Sequence, residues 1–243
     1  MFFDQEPWAV RCEWGEAAVR QLAPWCAAVV IVDVLSFSTC VDVAVSRGAG
    51  VLPYRWRDDS AAEFARERGA LLASPERRFA GGYSLSPTSL TTLPSGARLV
   101  LPSPNGATLS ALAAESGAAV FAACLRNVQA VADHLRPRFP SVLVVPAGER
   151  WPDGSLRPAL EDWLGAGALV RALGLAASPE AEAAARAWDA MTDLPAPLRA
   201  CASGRELIER GFVPDLDVAA GLNVSHAVPE LRNGVYLEAV TPC

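Results

Sequence analysis

Four junctions in this chain deliver an apolar run into residues that can handle an anion or a hard cation. The first, AAVVIVDVLSFSTC over residues 27–40, carries β-branched residues into a single carboxylate, Asp33, and then into a turn with Ser36, Ser38 and Thr39. The second, RLVLPSPNGATLSAL, passes through Ser103 to Gly106 into a helical pattern. The third places Leu125, Arg126 and Asn127 after AAVFAAC, and the fourth runs from SVLVV through Gly148, Glu149 and Gly154 to the adjacent acids Glu161 and Asp162. Gly-containing turns that open helices aim backbone N–H groups at an anion, and Arg offers a planar fork to phosphate, carboxylate or sulfonate oxygens. Carboxylates instead suit a hard cation such as Mg2+, which takes oxygen ligands and waters and bridges to phosphate.

Each residue also has a plainer reading. Asp33 caps a helix or ends a turn, as Asp commonly does. Asn105-Gly106 is a common turn sequence. Glu161 and Asp162 fall in the first turn of a helix, where the macrodipole favours acids, and adjacent helix positions diverge, so one of the two at most faces a metal squarely. Arg126 pairs equally well with a protein carboxylate. The set gains weight only if the fold brings its members together.

The elements that must do so are short. A brief β-branched run reads as a strand buried on both faces, and open α/β sheets bind ligands beyond the carboxyl ends of such strands. The pattern predicts a strand at Trp8 to Glu13, a helix at Gly15 to Leu22, the strand ending at Asp33, and a helix closing at Gly48. VLPY is the next strand, and a helix starts at Ser60 with Glu63 completing a capping box. Residues 80–97, rich in Gly, Ser, Thr and Pro, read as a long loop of the kind that serves as a lid. Beyond about residue 175 the chain reads as helical, and Asp215-Leu216-Asp217 as a turn after a helix end, with no buried strand to deliver a double-aspartate nucleophile. Strands alternating with helices at this spacing imply a largely parallel sheet covered on both faces, in one domain spanning 1–243.

Composition removes several chemistries. All 21 basic residues are Arg, so no lysine Schiff base, pyridoxal phosphate anchor or Walker-type lysine exists. The two histidines, His134 and His226, are isolated in sequence, which argues against a histidine metal cluster. Six cysteines, Cys12, Cys26, Cys40, Cys124, Cys201 and Cys243, show no zinc spacing and fit a reduced, cytoplasmic setting without a thiol nucleophile. A net charge of -6 with scattered Arg argues against nucleic acid or an anionic membrane as partner. No signal peptide or membrane-length apolar run is visible.

Taken together, VVIVDVLSFST, LPSPNGATLSAL, ACLRN, PAGERWPDGSLRPALEDWLGAGAL and GRELIERGFVPDLDVAAGLNVS resemble the 2-phosphosulfolactate phosphatase family. The resemblance implies a three-layer α/β/α fold with a largely parallel or mixed sheet. It also implies Mg2+-dependent hydrolysis of a phosphomonoester on a sulfonated hydroxy acid. Where better-known members carry Arg after Asp-Val-Leu, this chain has Ser36. The expectation is therefore a phosphatase with Asp33 and Glu161 catalytic, Asp33, Glu161 and Asp162 on the metal, and Ser36, Asn105, Gly106, Arg126 and Gly148 on a small, multiply anionic phosphoester. Ser36, Ser38 and Thr39 stay open as covalent nucleophiles beside water, and a homo-oligomer stays open. A non-catalytic sensor of phosphorylated or sulfonated acids, or a lyase or isomerase, would use the same pocket.

Overall fold

The computed structural model describes residues 2–56, 58–74 and 81–240. Strand β1 (Val10–Cys12) leads through α1 (Gly15–Leu22) to β2 (Ala28–Val32), and α2 (Phe37–Ser46) leads to β3 (Gly50–Tyr54). Next come α3 (Ser60–Glu67), the short β4 (Leu71–Leu72), a one-turn helix α4 (Pro87–Leu90) and β5 (Arg98–Pro102). They are followed by α5 (Gly106–Ala114), β6 (Ala119–Ala123), α6 (Val128–Leu135) and β7 (Val142–Pro146). A small hairpin of β8 (Glu149–Arg150) and β9 (Leu156–Arg157) precedes α7 (Leu160–Leu173) and α8 (Pro179–Asp189). The chain closes with α9 (Pro195–Ala200), α10 (Ala202–Glu209), α11 (Val213–Ala219) and the hairpin β10 (Pro229–Arg232) and β11 (Val235–Glu238).

Nine strands form one mixed sheet in the order β1-β7-β2-β6-β10-β11-β3-β5-β4. Ala28 to Val32 pair in parallel with Ala119 to Ala123 on one side and Val142 to Pro146 on the other. The carboxyl ends of β2, β6 and β7 therefore lie in register along one edge, with Asp33 immediately beyond.

Alternation along β2 builds the layers. Val30 and Val32 pack into a cluster with Leu135 of α6 and Leu169 of α7, whereas Val29 and Ile31 pack with Leu22 of α1 and Leu109 of α5. With all five β2 residues fully buried, each side chain loses its water on one face or the other, which is why the strand is apolar without interruption. The result is the expected three-layer α/β/α fold. No helix among the described residues is long and apolar enough to cross a membrane.

The C-terminal part departs from the all-helical expectation. Residues 229–238 form a hairpin that is antiparallel to both of its neighbours and sits mid-sheet, between β6 and β3. Its turn, Asn233-Gly234, has both φ values positive, at 51° and 77°, and an Asn-Gly pair between short apolar stretches was its sequence signal.

The expected lid over 80–97 is also corrected. Ala80 lies outside the described residues, but α4 and the buried Leu90 and Leu93 anchor the rest of the segment. Ser86 Oγ donates to Asp215 Oδ1 at 2.6 Å and the Thr88 N–H donates to the same oxygen at 3.2 Å. Asp215 is thus not a turn residue but a buried anchor in the first turn of α11. The capping box at α3 does not form, because Asp59 takes the N-cap position without a side-chain cap and the Ser60 hydroxyl is engaged by Asp58 and Tyr54.

Close packing of α7 against α8 rests on Gly167, where a Cβ would come within 2.1 Å of the Ala184 carbonyl oxygen. Backbone cannot yield as a flexible side chain does. Gly167→Ala should therefore cost about 1–3 kcal/mol despite the better helix propensity of Ala, measurable as a lower denaturation midpoint with unchanged slope. A neutral or stabilising effect would mean that the two helices separate freely.

Candidate active site

Asp33 is held from both sides. Its Oδ1 accepts a 3.0 Å hydrogen bond from the Phe37 N–H at the start of α2, and its Oδ2 accepts one of 3.0 Å from the Gly106 N–H at the start of α5. One carboxylate therefore serves two helix N-termini, each of which offers unpaired N–H donors and a positive dipole end. Asp33 caps as expected, and the same side chain also lines a pocket. Gly106 is dictated by this approach, because a Cβ there would lie 2.2 Å from Phe37 Cδ1 and 2.8 Å from Asp33 Oδ2.

The pocket is small, about 150 Å3, which suits a compact polar group more than a large cofactor. One wall carries Asp33, Ser36, Ser103, Asn105 and Glu149. The lining also includes a stripe of α10 and the residue after it, Ser203, Glu206, Leu207 and Arg210, at the spacing of one helix face.

Glu149 is the residue that sequence reasoning passed over. The β8–β9 hairpin lifts it above the sheet edge, turning at Asp153-Gly154, where Gly154 has φ of 83°. That Asp-Gly pair was the available signal. Asn105 Nδ2 donates to Glu149 Oε2 at 2.9 Å. Burial pushes the Glu149 carboxyl up to about 7, reinforced by the nearby Asp33 and Glu161 charges and opposed by the Asn105 hydrogen bond and Arg157.

Asp162 and Glu161 do not reach the wall of this pocket. Asp162 Oδ1 accepts from the Val34 N–H at 2.7 Å and its Oδ2 from the Gly148 N–H at 2.8 Å, so the side chain ties the segments after β2 and β7 together. Burial, then the Asp33 and Glu161 charges, hold its carboxyl well above the usual range. Gly148 is a brace of this kind rather than a wall residue, with φ of 69° and its N–H spent on Asp162. Glu161 is buried and its charge acts on Cys201, whose thiol is pushed up to about 12, chiefly by burial. Among the described residues, no three His, Cys, Asp or Glu side chains converge as a metal cage, so the expected trio of Asp33, Glu161 and Asp162 is not assembled.

Arg126 is likewise placed elsewhere. Its Nε lies 2.7 Å from Asp42 Oδ2 and its Nη1 donates to the Val218 carbonyl at 3.2 Å, which commits the fork to the protein. Ser38 and Thr39 are fully buried and their hydroxyls donate to the Ile31 and Val34 carbonyls, which removes them as nucleophiles. The five described cysteines are buried, and Cys243 lies outside the described residues.

A three-layer α/β/α sheet with a small acid-lined pocket at its strand ends places the candidate site where open α/β sheets bind ligands. The family model for 2-phosphosulpholactate phosphatase matches residues 16–234, and the chain belongs to that family of phosphoric monoester hydrolases. It is 28% identical over 219 residues to a protein of Thermotoga maritima, covering 87% of this chain and 92% of the relative. It is 32% identical over 236 residues to one of Gloeobacter violaceus, covering 91% and 95%. Both relatives carry the description "Probable 2-phosphosulfolactate phosphatase".

Two outcomes follow from the electrostatics. Arg126→Ala strands Asp42, which is fully buried and whose carboxyl burial already pushes upward. The variant should lose about 3–5 kcal/mol at neutral pH, less in acid where Asp42 takes up a proton, as read by urea unfolding. A loss no larger than that of an exposed ion pair would place Asp42 in contact with water.

Glu149 binds its proton near pH 7 in the folded protein and near 4.5 unfolded. Between those values the native state holds more protons, so the stability linked to Glu149 is complete below about 4.5 and is lost as pH rises through about 7. In metal-free protein, Glu149→Gln should flatten this decline, leaving a remainder from Asp162, which is shifted in the same direction. An unaltered slope would mean that Glu149 is solvated.

Proposed function

We propose that the chain is a Mg2+-dependent phosphatase of 2-phosphosulfolactate or a closely related phospho-hydroxy acid. The observation that carries the reading is the facing pair Asp33 and Glu149 in one small pocket, in a chain of this family. Their charges raise each other's energy, and a divalent cation relieves that repulsion. Mg2+ is commonly held by one or two carboxylates plus waters and substrate phosphate, and does not require a three-acid cage. Asp33 and Glu149, with the oxygens of Ser36, Ser103 and Asn105, fit that donor set and would hold the ion. When bound, Mg2+ supplies polarisation of the phosphoryl oxygens and lowers the pKa of a water.

The protein's own groups do the positioning. Phe37 and Gly106 fix Asp33 through its two oxygens, and Asn105 orients Glu149. Asp162 and Glu161 act from behind the wall, the first by tethering Val34 and Gly148 and the second through its charge on Glu149 and Asp162. With Ser38 and Thr39 internally bonded, water and the Ser36 hydroxyl in the pocket lining are the candidate attacking groups in this reading.

Purified protein should release inorganic phosphate from at least one small phosphomonoester, lose that activity to EDTA and regain it with Mg2+. Asp33→Asn should lower turnover by orders of magnitude. It should also cost about 1–3 kcal/mol, because the amide NH2 must face one of two backbone N–H donors, a larger stability effect than an acid at a strand end implies by itself. Activity indifferent to EDTA would remove the metal, and an Asp33→Asn enzyme of normal rate would remove Asp33 from the chemistry.

A further inference from the structure

The acids Asp33 and Glu149 and the cation Arg210 line the pocket from different elements. Asp33 and Glu149 stand just beyond strand ends, whereas α10 and the residue after it contribute Ser203, Glu206, Leu207 and then Arg210. Arg210 is the cation among the described residues lining this pocket. A phosphorylated acid with a carboxylate and a sulfonate carries charge beyond what one divalent ion at the phosphoryl group offsets. The remaining anionic groups must face something other than Asp33 and Glu149.

We infer that the α10 wall is an anion subsite for the substrate's non-reacting carboxylate or sulfonate, with the Arg210 guanidinium and the Ser203 hydroxyl as its donors. The inference rests on the phosphatase reading for the identity of the ligand. Four features support it. Ser203 and Arg210 lie seven residues apart, two turns along one helix face, so both address the same side of the pocket. Ser203 is buried and within 3.4 Å of Arg157 Nη2, which fixes the near end of the stripe. At the far end Arg210 pairs with Glu206 at 2.8 Å, and with side chains 65% and 55% exposed the pair is water-screened and easily redirected to an arriving anion. Leu207 between them is buried in the core, which anchors the stripe beside the pocket.

The test reads binding and turnover separately. Wild type, Arg210→Ala, Arg210→Lys and the control Arg205→Ala, which alters an exposed Arg on the same helix off the pocket stripe, are titrated calorimetrically with sulfolactate, the hydroxy acid left after phosphate loss. Arg210→Ala should weaken binding roughly 10- to 100-fold and Arg210→Lys by less, with Arg205→Ala unchanged. In kinetics, Arg210→Ala should raise KM for the multiply anionic substrate by a like factor, with kcat within about twofold and an aryl phosphate unaffected. Equal sulfolactate affinity in wild type and Arg210→Ala, or an equal loss in Arg205→Ala, overturns the subsite whatever the turnover. Absence of phosphate release from every substrate, with the Arg210-dependent binding intact, overturns the phosphatase reading and leaves the subsite standing.

Discussion

One carboxylate shared by two helix starts governs this structure. Asp33 accepts from Phe37 and Gly106, so the helices that follow β2 and β5 converge on a single pair of oxygens. Those two strands lie far apart in the sheet order, with β6, β10, β11 and β3 between them. Linking their outgoing helices at one point closes the strand-end edge into a cup and sets the position of Ser36, Ser103 and Asn105 around it. Asp162 repeats the device one layer further in, joining the segments after β2 and β7. Each acid is paid for in desolvation and offset by two backbone donors, which is why neither can be exchanged for its amide without a mismatch.

The positions legible in sequence were those where a short strand hands over to a helix. Asp33, Asn105 and Gly106 stood at such joints, each after a short, uninterrupted apolar run of the kind that a strand buried on both faces shows. What stayed hidden was pairing at a distance. Arg126 sits at a joint of the same grammar, yet its fork is taken by Asp42 from α2, 84 residues away in sequence, and no local pattern announces that partner. Glu149 and Arg210 reach the pocket for the opposite reason. One stands on a two-residue hairpin and the other ends a helix that crosses over the strand ends, placements that depend on how layers stack.

The same distinction separates Glu161 and Asp162. Adjacent positions on a helix diverge, and at most one of the two was expected to face a metal squarely. Their burial is nearly complete, and a buried carboxylate is stable only where N–H donors or protons meet it. Asp162 has such donors, and this requirement ranks it as a brace before any ligand is considered.

The mid-sheet position of the β10–β11 hairpin also bears on how the chain reaches this state. Two blocks of parallel strands, β1-β7-β2-β6 and β3-β5-β4, are complete before residue 150, but their facing edges have no strand to pair with until residues 229–238 arrive. During synthesis those edges emerge early and wait, exposing open hydrogen-bonding rows of the kind that recruit neighbouring chains. The last strands to leave the ribosome are therefore the keystone, and a chain stopped before them holds two half-sheets linked through Asp33 and their helices but with no strand in the seam.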